Sequence, residues 1–110
     1  MVEITINKNK LEQIIAMEVK GHAGYADHGQ DIVCAAVSVL TINTVNSISH
    51  LLGVELQPES DAGILKCQFP VQADMAIHEK MQMLLQSMLL GLQAIEDNYK
   101  EFIRYDIIYV

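Results

Sequence analysis

Between Asp74 and Asn98 apolar residues return every three or four positions, and Met81, Leu84, Leu85, Met88, Leu89, Leu92 and Ile95 fall on one stripe. A period of about 3.6 sustained this long predicts an amphipathic α-helix whose apolar face other elements have to cover. A second helical pattern starts at Asp31, carries Val33, Ala36, Val37, Leu40, Val45, Ile48 and Leu52, and stops at Gly53. Elsewhere the pattern is that of strands. Val2 to Ile6 and Leu11 to Lys20 flank an Asn-Lys turn and predict a β-hairpin. Val54 to Gln57 and Gly63 to Phe69 predict two short strands around a Pro58 to Ala62 turn, and Phe102 to Val110 a final strand. The order ββαββαβ predicts a two-layer α+β fold in which an antiparallel or mixed β-sheet is covered by two α-helices.

A chain of 110 residues, 51% hydrophobic and 19% charged, suits one domain over 1–110 with a real core. Its net charge of -7 is the wrong sign for gathering phosphates, which argues against direct nucleic-acid binding. No Lys or Arg lies between Lys20 and Lys66, whereas Asp27, Asp31, Glu55, Glu59 and Asp61 do, so a basic polypeptide suits that face better. Two cysteines do not make a disulfide framework, which points to a reducing, cytoplasmic setting. No segment is expected to approach the roughly 18 apolar residues of a membrane span, so no membrane partner is expected.

The stretch richest in chemistry is Gly21 to Ser38. Gly21, Gly24 and Gly29 with little apolar periodicity predict a mobile loop, and Cys34 follows it at the start of a helix. With Asp31 as N-cap, Cys34 takes the third helical position, where the positive helix end favours thiolate and unpaired N–H groups can receive an oxyanion. No basic side chain is near in sequence, so a protonated His22 or His28 is the local cation available to the sulfur. Ala35, Ala36 and Ser38 leave room beside it. The His-x5-His-x5-Cys spacing matches no regular zinc site, and neither metal nor cofactor is expected. Cys67 reads as inert packing in an apolar strand, His50 and His78 as solvated or cap-like groups, and the methionines of the last helix as core or dimer-interface filler.

The run Gly21-His22-Ala23-Gly24-Tyr25-Ala26, followed after a short loop by Asp31-Ile32-Val33-Cys34-Ala35-Ala36-Val37-Ser38, resembles the ribosomal-processing cysteine protease family Prp. Leu92 to Tyr99 is similar to that family's carboxy-terminal helix, so the resemblance spans nearly the whole chain. It implies a homodimeric cytoplasmic endopeptidase that removes a short amino-terminal extension from large-subunit ribosomal protein number twenty-seven, cutting after a pair of phenylalanines. Carried over by motif position, Cys34 is the nucleophile and His22 the general base, with Asp31 and Ser38 in support. Gly24, Tyr25 and Gly29 then belong to a loop that gates the substrate. Against this stands a non-catalytic peptide-binding or ribosome-assembly module, which has no need of sulfur at Cys34.

Overall fold

The structure, a computed structural model, describes residues 1–21, 28–61 and 63–110, with 28–31 described by their backbone alone. Its elements run β1 (Val2–Lys8), β2 (Ile14–Lys20), α1 (His28–Leu52), β3 (Glu59–Asp61), β4 (Ile64–Gln68), α2 (Met75–Asn98) and β5 (Ile103–Tyr109). The described strands form one mixed sheet in the order β3-β4-β2-β1-β5. β1 lies antiparallel to β2 and parallel to β5, and β4 lies antiparallel to both β2 and β3. The α+β reading with two helices therefore holds, and the sheet is of the mixed kind.

Alternation decides which face of the sheet is buried. Val2, Ile4 and Ile6 of β1 point into the core with Ile14, Met17 and Val19 of β2, while Glu3 on β1 and Lys20 on β2 remain exposed. Covering that face, α2 buries Met81, Leu85, Met88, Leu89 and Leu92, each contributing roughly 1.5–3 kcal/mol through removal from water. Asp74 caps α2 by accepting the N–H groups of Ala76 and Ile77 at 2.9 and 3.2 Å. α1 closes at Gly53, whose φ of 67° is the left-handed conformation that ends many helices. The two helices approach closely where a Cβ on Gly91 would stand 2.6 Å from the Leu40 side chain.

Four expectations are corrected. Val54 to Gln57 forms no strand: Val54 is buried and Leu56 packs on the core, but the edge of β4 is taken by Glu59–Asp61. Asp61 pairs with Ile64 across only residues 62 and 63, so a tight hairpin moves the turn downstream of Pro58. α1 begins at His28 rather than after Asp31, because one glycine costs a helix only about 1 kcal/mol, little against its full length. His78 is not solvated: it is 2% exposed on the buried stripe of α2, three residues before Met81, and its Nδ1 accepts the Gln72 N–H at 3.2 Å. Finally, Ile32–Leu52 is long and apolar enough to cross a bilayer, contrary to expectation. In this fold its Val33, Val37, Val45 and Ile48 are spent on the core.

Candidate active site

Among the described residues a cleft of about 350 Å³ opens between α1 and the β2-β4-β3 side of the sheet. Cys34, Ser38 and Thr41 line it from α1, Val19 and Gly21 from β2 and its end, and Ser60, Asp61 and Leu65 from the β3–β4 hairpin. Cys34 and Ser38 share this wall because residues four apart lie one above the other on a helix. Cys34 is 8% exposed and Val19 and Val37 are buried, while Ser38, Ser60 and Asp61 are exposed beside Ile42 and Ile64, so the cleft has a largely apolar root and a mouth of mixed character. Thr41 is buried and donates its hydroxyl proton to the Val37 carbonyl at 2.8 Å, which occupies that group inside the helix.

Gly21 forms the corner of the cleft where β2 ends. Its N–H donates to the Gly63 carbonyl at 3.0 Å, extending the β2–β4 ladder one step beyond the Lys20 and Ile64 pair. Its φ is 106°, and a Cβ there would lie 2.5 Å from the Met1 carbonyl oxygen. Only glycine fits such a position without displacing backbone.

Cys67, unlike Cys34, does not line this cleft. It sits on β4 opposite Met17, is almost fully buried, and burial pushes its thiol up to about 11, so little thiolate exists near neutrality. The reading of Cys67 as packing agrees with this geometry. Neither cysteine takes part in a disulfide.

The first-turn scheme around Cys34 changes. With α1 starting at His28, the turn with unpaired N–H groups comprises 28–31, and Cys34 stands a turn further on, where its own N–H enters the helical ladder. Asp31 is a member of the first turn rather than the cap. Gly29 belongs to α1 and not to a loop. His22, Gly24 and Tyr25 lie outside the described residues, as does most of the expected gate. Ser60, Asp61 and the Gly21–Gly63 link are parts of the cleft that local reading missed, since β3 brings them there through pairing with a strand whose position no local pattern encodes.

The family described as cysteine protease Prp matches residues 1–104. A Bacillus subtilis ribosomal processing cysteine protease Prp is 36% identical over 106 residues, which cover 94% of this chain and 95% of that protein. The essential ribosomal processing protease Prp of S. aureus, solved in complex with a substrate peptide, superimposes with a TM-score of 0.85 at 29% identity over 97% of this chain and 99% of that one. The same S. aureus protease in complex with a covalently linked product peptide gives a TM-score of 0.82 at 29% identity over 100% of both chains.

Proposed function

This chain belongs to the cysteine protease Prp family, and from that membership and the cleft we propose that it is the endopeptidase that trims the amino-terminal extension of large-subunit ribosomal protein number twenty-seven. It cuts after a Phe-Phe pair, acts in the cytoplasm as a homodimer, and needs no metal. The observation that carries this reading is Cys34 standing on the wall of the cleft, inside a chain whose relative is solved with a substrate peptide and with a covalently linked product peptide.

In this mechanism His22 removes the proton from the Cys34 thiol, and the thiolate adds to the scissile carbonyl carbon. The tetrahedral intermediate collapses by breaking the C–N bond as His22 returns the proton to the leaving amine. Water, deprotonated by His22, then cleaves the thioester and regenerates the thiol. Asp31 falls in the first turn of α1, the end of a helix that carboxylates generally stabilise, and Ser38 offers a hydroxyl at the cleft mouth one turn from the sulfur. The apolar root of the cleft suits an aromatic side chain. The exposed Val39 and Leu90, on either side of the Leu40–Gly91 contact, give the helix layer an apolar outer face that supports pairing with a second copy.

Incubating the protein with the full-length ribosomal protein and weighing the products by mass spectrometry tests the reading. A single cut after Phe-Phe by the wild type and none by Cys34→Ala is expected. An uncut substrate that binds both forms equally establishes the non-catalytic module instead.

A further inference from the structure

β3 ends the sheet on the side of the cleft, and its three residues, Glu59, Ser60 and Asp61, are all exposed. The hydrogen bonds at the two ends of β4 fix which way its main chain faces. The Gly21 N–H donates to the Gly63 carbonyl at 3.0 Å, and the Phe69 N–H donates to the Ile15 carbonyl at 2.9 Å. In an antiparallel ladder the bonded pairs recur at every second residue, so Gly63, Leu65, Cys67 and Phe69 turn their backbone groups toward β2. Ile64 and Lys66 turn theirs toward β3, where their partners are Asp61 and Glu59. Ser60 stands opposite Leu65, whose groups are committed to Val19 on the other side. The N–H and C=O of Ser60 therefore point away from the sheet, and among the described residues no strand lies beyond them.

That open pair borders the cleft. Cross-strand partners share a face, and the successive partners Ser60, Leu65 and Val19 all line the cleft together with Cys34. A chain laid beside β3 projects the side chain opposite Ser60 on this same face and its neighbours in sequence on the other. An extended polypeptide offers an N–H and a C=O at the spacing that Ser60 presents. Asp61 is the one charged side chain in the described lining, which disfavours an anionic occupant.

We propose that β3 is the docking strand for the substrate: a segment of the substrate polypeptide adds to the sheet beyond β3, bonding its main chain to the N–H and C=O of Ser60. The inference rests on the proposed cleavage of a peptide in this cleft. It adds how that peptide is held, through main-chain pairing that is indifferent to side-chain identity, with selectivity left to the side chain that falls on the cleft face.

The register allows a substitution aimed at this bond. Proline is tolerated on an edge strand whose N–H faces outward, so Ser60→Pro removes the docking donor without taking a bond from β4, while Ser60→Ala keeps both main-chain groups. A synthetic peptide containing Phe-Phe is titrated into Cys34→Ala protein with Ser, Pro or Ala at position 60, and its cleavage is followed in the same variants with Cys34 present. Ser60→Pro is expected to raise Kd and KM about 10-fold and Ser60→Ala several-fold less, because only the first removes a main-chain bond to the substrate. A folded Ser60→Pro that binds as tightly as its parent, or equal losses in the two variants, overturns the proposal. If Ser60→Pro does not fold, amide exchange in the Cys34→Ala protein, read by NMR, decides without any change in β3. In the free protein the Ser60 N–H exchanges faster than those of Glu59 and Asp61, and saturating peptide is expected to slow it at least about 10-fold. Unchanged exchange at Ser60 with peptide bound overturns the docking strand while leaving the cleavage reading intact. A peptide that neither binds nor is cut by the wild type overturns both.

Discussion

The side chain of Gln82 on α2 pairs with both main-chain groups of Ile14, accepting its N–H at 2.8 Å and donating to its carbonyl at 2.9 Å. Ile14 opens β2 at the point where the β1–β2 register shifts between Asn7 and Lys8, so its backbone groups lack the regular ladder. The glutamine amide supplies what a neighbouring strand otherwise would. Because Ile14 is buried, losing the amide leaves a donor and an acceptor unpaired. Gln82→Met is expected to cost about 2–4 kcal/mol in urea unfolding, whereas the same change at exposed Met83's neighbour Gln86 costs little.

Alkaline stability reports on Cys67. Its thiol is raised from 9.0 to about 11 in the folded state by burial. Between those values the unfolded chain ionises first and holds fewer protons than the folded one, so stability is fully present below about pH 9 and falls as pH rises toward 11. Cys67→Val is expected to flatten that fall in urea melts taken from pH 8 to pH 11. In the native protein iodoacetamide is expected to modify Cys34 before Cys67, read by peptide mapping.

The two histidines that precede the cysteine in sequence separate by rate. His22 follows directly from the tethered Gly21, whereas the backbone of His28 is the first residue of α1. His22→Ala is expected to lose most of kcat and His28→Ala much less. Reversed losses in the same peptide assay reassign the base to His28.

Assembly tests the outer face of the helix layer. Val39 and Leu90 are 70% and 68% exposed, apolar area that a second copy would cover. Val39→Asp is expected to halve the mass seen by light scattering without lowering the melting temperature. An unchanged mass removes this face from the dimer.

Periodicity in the sequence determined which apolar residues turn inward on the stripe of α2 and the alternation of β1, since spacing decides which of them share a face, and Gly53 marked the end of α1 because glycine takes the left-handed conformation there at no steric cost. The same logic extends to Cys34, since its place on a small-residue helix and its likeness to a known motif are both local. It fails where a residue's state depends on which other group it is paired with. Val54 to Gln57 alternates yet is no strand, because alternation encodes burial and not a hydrogen-bonding neighbour; that neighbour of β4 is Glu59–Asp61. His78 reads as polar and surface-bound by residue type, but packing puts it under Gln72. Gly21 looks like one more loop glycine until Met1, Val2 and Gly63 close around it. Only tertiary structure decided these, because a local pattern records spacing and residue type but not which backbone groups meet, whether across the few residues between β3 and β4 or the forty-odd between Gly21 and Gly63.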